Sequence, residues 1–281
     1  MIERTFKTPG ELALALSIPS GSIEVETIDG DETHVVLEAD DPADLDEARI
    51  ELRERGDGHV LAVDVDRRRI SLFGSIDISI GIGSARTSFR LSVRCPHGAA
   101  LGVHTASAEL SARGRFSSAD VTTASGDLTV GEVDGDATVK SASGDVRIGR
   151  VGGGARIQTA SGDVELESVA GRLTAQVVSG DIAVHDAAGP VKTKSVSGDQ
   201  RLQVSEGEVD LVSVSGDIEV GIRRGSLLHV DANSVSGDLD SELELAETPA
   251  AAEGPLVELR ARTVSGDFRV VRAPAREIAG A

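Results

Sequence analysis

Ser-Gly-Asp returns every 18 residues along the middle of this 281-residue chain. Its glycines stand at 126, 144, 162, 180, 198 and 216, and further copies follow at Gly237, after a three-residue insertion, and at Gly266. Glycines also fall midway, at 135, 153, 171, 189, 207 and 225, so the true unit is nine residues long. It reads Gly-x-φ-x-φ-x-x-φ-x with φ apolar, as in GDLTVGEVD from 126, GDVRIGRVG from 144 and GDVELESVA from 162. Apolar positions two apart specify a short strand with one buried face. A glycine every nine residues marks a turn, because glycine tolerates positive φ and close backbone approach. Nothing in this region recurs at the helical period. Eighteen residues therefore give strand, turn, strand, turn, which is one flattened coil.

The sequence thus specifies an all-β fold, a β-solenoid (β-helix) with roughly 18-residue coils built from nonapeptide half-repeats. Stacked coils lie ~4.8 Å apart, so residues 18 apart meet. One inward ladder is expected from Leu128, Val146, Val164, Ile182 and Ile218, and a second from Val130, Ile148, Leu166, Val184, Leu202 and Val220. Gln200 interrupts the first ladder and Arg223 a third. Phe268, a bulky residue at a φ position, is expected to close the last coil. AALGVHTAS and AELSARGRF carry the register back to residue 99. Residues 99–281 are expected to form the solenoid, with a loop insertion near 245–255 and a frayed tail after Pro274. Residues 1–98 read as an N-terminal β-rich region that caps or extends it. GSIEVETID at 21–29 matches the nonapeptide, after which the phase is lost. HVVLEAD, ARIELRERGDGHVLAVDVD and SIDISIGIG alternate as strands, and DPADLDEA reads as one helical turn.

The repetition of the motif singles out its own residues as turn formers: Ser125, Gly126 and Asp127, then Gly144 and Asp145, Gly162 and Asp163, Gly180 and Asp181, Gly198 and Asp199, Gly216 and Asp217, Gly237 and Asp238, and Gly266 and Asp267. Ser and Asp side chains bond nearby backbone N–H groups and hold turns. A column of carboxylates would also suit Ca²⁺. However, the chain lacks the paired glycines and the Asp position of the calcium nonapeptide G-G-x-G-x-D-x-U-x. Neither a metal nor a cofactor is expected.

Catalytic signals are equally missing. The six histidines are scattered, and Cys95 and His97 lack the further grouped ligands that zinc requires. Ser125 and its repeats never sit in a G-x-S-x-G elbow. GIGSAR and GRVGGG match no phosphate-binding pattern. No catalytic residue is assigned. The net charge of −19 and the absence of Trp and Tyr argue against a nucleic-acid partner. With a single cysteine no internal disulfide forms. LALALSI is too short and too alternating for a membrane helix, so no direct membrane insertion is expected. The expected setting is the cytoplasm, with the cell surface as the alternative through an unrecognised route.

TFKTPGELALALSIPSGSIEV, VRCPHGAALGVHTAS and the serial Ser-Gly-Asp turns together resemble the putative adhesin family of bacterial β-strand-repeat proteins, a domain of unknown function. The resemblance spans nearly the whole chain and implies a β-solenoid and, by the family's label, adhesion. It carries over no catalytic residue. Some members have an N-terminal membrane helix, which this sequence lacks. The reading is a non-enzymatic scaffold or protein-interaction module with an unknown protein partner, monomeric by preference. The alternatives are a polysaccharide-binding or polysaccharide-cleaving β-helix protein, or a self-assembling filament subunit.

Overall fold

The structure is a computed structural model that describes residues 1–56, 58–65, 88–204, 206–223, 226–242 and 255–273. The strand expected at SIDISIGIG, nearly all of the 245–255 loop and the tail after Pro274 lie outside the described residues. The chain divides into two compact units, Met1–Val130 and Gly131–Ala281.

The first unit holds β1 (Ile2–Lys7), β2 (Leu12–Ile28), β3 (Glu32–Ala39), β4 (Arg49–Arg55), β5 (Gly58–Asp64), β6 (Phe89–Pro96), β7 (Ala100–Phe116) and β8 (Ser118–Thr123). A 3-10 helix, Pro42–Glu47, stands where DPADLDEA suggested a helical turn, and Asp41 Oδ1 caps it by accepting from Ala43 N–H at 2.9 Å. The 17-residue strand β2 is itself a coil. Its first half pairs in parallel with β5, and its second half, from Gly21, pairs in parallel with β6. The corner is Gly21, at φ +118°, where a Cβ would sit 1.9 Å from Phe89 O. Both halves also run parallel to β7, which pairs with β8 in the 18-residue register, Leu101 opposite Ala119 and Val103 opposite Val121. The parallel stacking therefore reaches back to Leu12. Antiparallel strands finish the unit: β3 on β6, β1 on β3 and β4 on β5.

The division falls within β9 (Leu128–Val133). The second unit continues with β10 (Ala137–Ser141), β11 (Val146–Val151), β12 (Ala155–Ser161), β13 (Val164–Val169), β14 (Leu173–Ser179), β15 (Ile182–Ala187), β16 (Val191–Ser197), β17 (Gln200–Val204) and β18 (Gly207–Ser215). After these come β19 (Ile218–Ile222), β20 (Leu227–Ser236), β21 (Leu239–Ser241), β22 (Leu256–Ser265) and β23 (Phe268–Arg272). Even-numbered strands build one parallel face and odd-numbered strands the other. Val146 opposes Val164, Val164 opposes Ile182, and Ile148, Leu166, Val184 and Leu202 follow in register, all buried. This is the β-solenoid that the 18-residue period specified. Leu128 and Val130 are buried as well.

Two irregular positions are resolved differently from each other. Gln200 does occupy the first ladder, between Ile182 and Ile218, and is fully buried. Its side-chain oxygen accepts from the buried Thr193 hydroxyl, and Nε2 donates to Val212 O at 3.2 Å. An inward amide is tolerated because each of its halves has a partner. Arg223, by contrast, does not enter the core. A register shift between Val184 and Ala187 sets Ala187 against Val204 and Val204 against Ile222, so those residues fill the third ladder. Arg223 is left outside, where Nη2 donates to Asp186 Oδ1 at 2.9 Å.

The end of the stack departs from chain order. β22 inserts between β18 and β20, and β23 inserts between β19 and β21. The chain lays down the outermost coil first, with β20 and β21, and then returns to fill the gap. Phe268 is therefore no cap. It lies between Ile218 and Leu239 in the last coil but one and is 3% exposed.

The Gln200 site yields a stability prediction. Gln200→Leu should cost about 1–3 kcal/mol, because it orphans the Thr193 hydroxyl. Gln200→Leu with Thr193→Val should recover most of that loss, since removing both polar partners leaves an apolar ladder. Urea unfolding of the two singles and the double reads this directly. A double variant no more stable than Gln200→Leu would show that the amide–hydroxyl pair is not what stabilises this coil.

Candidate functional site

The repeated corner is built from backbone contact. In the second unit, Gly144, Gly162, Gly180, Gly198, Gly216, Gly266 and Gly237 all have positive φ. A Cβ at Gly180 would lie 2.2 Å from Gly162 O, and the same clash recurs coil after coil. The Asp side chains join one coil to the next. Asp163 N–H donates to Asp145 Oδ1 at 3.1 Å, Asp181 to Asp163 at 2.9 Å, Asp199 to Asp181 at 2.8 Å and Asp217 to Asp199 at 3.0 Å. The row continues in spatial order through Asp267 and Asp238. Each carboxylate thus carries the hydrogen-bond ladder around a corner where the backbone has turned away. Like charges ~4.8 Å apart repel by about 1 kcal/mol in water, whereas a hydrogen bond to a charged group stabilises by about 1.5–3 kcal/mol. The bond wins along the column, and two of its members have a counter-ion besides: Arg147 Nη2 lies 3.0 Å from Asp145 Oδ2 and Arg201 Nη2 3.1 Å from Asp199 Oδ2. Ser contributes its backbone, as when Gly180 N–H donates to Ser197 O at 3.1 Å. In the first unit Asp127 O accepts from Leu110 N–H at 2.9 Å, and Thr123 Oγ1 donates to Ser125 O at 2.9 Å. Among the described residues no group of three or more His, Cys, Asp or Glu side chains is placed to hold a metal ion.

Cys95 and His97 part company. Cys95 is fully buried in β6, and burial pushes its thiol up to about 12, so it stays protonated and unreactive. His97 Nδ1 lies 2.8 Å from Thr27 Oγ1, and its Nε2 lies 3.5 Å from Asp29 Oδ1. A hydroxyl, an imidazole and a carboxylate thus fall in line from residues 70 apart, which no spacing rule would find. This line has a structural job. Thr27 is 7% exposed, and its oxygen already accepts from Arg115 N–H at 3.0 Å. A nucleophile needs access, and Thr27 is buried.

The feature that sequence reading missed is the outer surface of the even-numbered strands. β10, β12, β14 and β16 contain no Asp or Glu, but they carry Lys140, Arg156, Lys192 and Lys194. Three of the chain's four lysines stand here, in a protein of net charge −19. One register column reads Lys140, Gln158, Gln176, Lys194, Val212, Arg262 and Asn233. Among the described residues, Lys140, Arg156, Lys194 and Arg262 have no carboxylate partner, whereas Lys192 meets Asp210 at 3.0 Å. Beside this column runs an apolar one. Val178, Val196, Val214 and Val264 stand outward and 46–51% exposed, and Val235 reaches 78%. Folding the sequence at 18 residues would have exposed both columns. Scanning for motifs could not, because neither column contains a local pattern.

The even-numbered strands thus present a parallel β face with an aliphatic column and a cation–amide column, and the protein is of the β-solenoid class. A family model, Toastrack DUF4097, matches residues 13–226, and the chain belongs to that family. The resemblance drawn from the Ser-Gly-Asp turns is thus borne out. The chain is similar to a putative adhesin from Bacteroides fragilis, at 14% identity over 95% of this chain and 96% of that one, with a TM-score of 0.45. It is also similar to a putative adhesin from Parabacteroides distasonis, at 10% identity over 95% and 96%, TM-score 0.29. A third similar structure is a putative cell adhesion protein from Clostridium sporogenes, at 8% identity over 96% and 99%, TM-score 0.23. No curated protein matches the chain. Among the described residues no helix is long and apolar enough to cross a membrane.

The corner chemistry makes its own prediction. Asp181→Asn keeps an acceptor oxygen for Asp199 N–H and removes repulsion, so it should change stability by less than about 0.5 kcal/mol. Asp181→Ala should cost about 1–2 kcal/mol, through the lost bond. Gly180→Val should be worse than either, because it adds a branched side chain at φ +132° against Gly162 O. Thermal melts of the three variants rank them. Asn falling as far as Ala would mean that the negative charge itself is needed.

Proposed function

We propose that this chain is a non-enzymatic scaffold, a protein-interaction module that docks a partner on the even-strand face. The observation that carries this reading is the juxtaposition of the exposed valine column with an acid-free Lys/Gln column on an otherwise acidic protein. Exposed aliphatic surface favours burial by a partner, and its cationic margin selects charge. The complementary partner is a protein segment that presents apolar side chains along one side and carboxylates beside them. A glycan fits less well: sugar rings stack on aromatic rings, and this chain has no Trp or Tyr. The regular coils serve as a ruler that holds the two columns at constant spacing.

The test compares affinity capture from native extract by the wild type and by Lys194→Glu with Val196→Glu, with Glu165→Gln on the opposite face as the control. The expected result is a protein retained by the wild type and the control and lost, at least tenfold, from the double variant. Equal retention by all three would refute the assignment of this face. Release of unsaturated sugar products from an anionic polysaccharide, abolished by a single Asp or Arg substitution, would refute the non-enzymatic reading.

A further inference from the structure

The outermost coil, β20 with β21, is left unfinished. Among the described residues no strand pairs with the far edge of either: β20 pairs only with β22 and β21 only with β23. Its core-facing side chains are correspondingly uncovered. Leu228, Val230 and Ala232 are half-buried, while their ladder partners Val257, Leu259 and Ala261 are buried. Leu239 is 54% exposed beside Phe268 at 3%. Asp238 N–H donates to Asp267 Oδ1, but the Asp238 carboxylate, last in the aspartate row, receives no N–H from a further coil.

Proteins defend open edges with charge, proline or bulges. Among the described residues of the first unit, β1 pairs only with β3 and β4 only with β5, and they are so defended: β4, RIELRER, carries five charges in seven residues. β20 reads LLHVDANSVS, with no Lys, Arg or Pro. It is also self-complementary. Suppose β20 meets β20 of a second copy antiparallel across a two-fold axis, with Val230 opposite Val230. Then His229 faces Asp231 of the second copy, Asp231 faces His229 of the second copy, and Leu228 lies opposite Ala232 on the core side. Directly opposed side chains in such a pair have Cβ atoms ~5 Å apart, close enough for an imidazole N–H to donate to a carboxylate.

We infer that two copies of this chain join through their β20 edges, antiparallel and in this register, so that each closes the open end of the other. The interface is the backbone edge of β20, the strand whose outward Asn233 and Val235 end the two columns assigned above to a partner, and the dimer would stand in place of the expected monomer. A two-fold contact is isologous and closes on itself, which limits assembly to a dimer.

The experiment is sedimentation equilibrium of the full chain over a hundredfold concentration range. The expected mass is twice that of one chain. Asp231→Lys should weaken association at least tenfold, since it places Lys opposite His229 and removes the acceptor. Adding His229→Asp should restore the dimer by recreating the pair with its signs exchanged. Circular dichroism of each variant checks that an exposed substitution has left the coils folded. Lys194→Glu with Val196→Glu should dimerise as the wild type does, which separates this test from that of the docking face. A wild type monomeric throughout, a mass that grows without limit, an Asp231→Lys protein as dimeric as wild type, or a double variant that stays monomeric would each overturn the inference.

Discussion

Everything in the second unit depends on backbone touching backbone at the Ser-Gly-Asp corner. Gly180 lies so close to Gly162 O that a Cβ there would stand 2.2 Å from it. That approach fixes the rise from coil to coil, and the rise fixes every ladder. Val146 meets Val164, and Asp181 N–H meets Asp163 Oδ1, because the corner admits no other spacing. At positive φ the corner also turns its amide away from the regular strand ladder. The Asp carboxylate supplies the missing acceptor. Glycine and aspartate are therefore two halves of one device: one removes a side chain so that coils approach, and the other adds one so that their hydrogen bonding is unbroken.

This device explains why so much of the fold was legible. A period of 18 residues written in Gly, Asp and paired apolar positions leaves one arrangement in which all three repeat at once. Val164, Leu166 and Val169 are buried as the nonapeptide requires. What was not legible is what breaks the period. Arg223 looked inward because the count from Gly216 placed it there, but one residue removed by the shift after Val184 gave its place to Ile222. Phe268 looked like a cap because it stands in the last motif of the sequence. The order of motifs along a chain need not be their order in space, and with the connection between β21 and β22 long enough, the final coil could return to a buried position. Local sequence is nearly the same for a coil placed at the end and one placed next to it.

Of the candidate site, the corner residues were readable and the outward columns were not. Asp163 and Gly162 announce themselves by repetition. Lys140 and Lys194, three coils apart, announce nothing, since each is ordinary among its neighbours and gains meaning only when stacked with Gln158 and Gln176. The Thr27–His97–Asp29 line is of the same kind: the ends of β2 and β6 bring it together, and the burial of Thr27 keeps it structural.

In a solenoid of this type the sequence has two sets of positions with different freedom. Corner and inward positions are bound to the period, because a change at one coil disturbs its neighbours on both sides. Outward positions are not so bound, and the odd-strand face shows it: Arg147, Glu165, Ala183, Arg201 and Glu219 follow one another with mixed charge. Against that background, a valine retained at five outward positions in one column is a departure that folding does not require, since Ala142 and Ala160 serve at the same place. Exposing five valines costs solubility and gives nothing back to the core. Surface that the fold does not need, and that water disfavours, is where selection for contact with another molecule would leave its mark. The terminal coil makes the same point with backbone in place of side chains: an edge kept long and regular, without Lys, Arg or Pro, is an edge kept open.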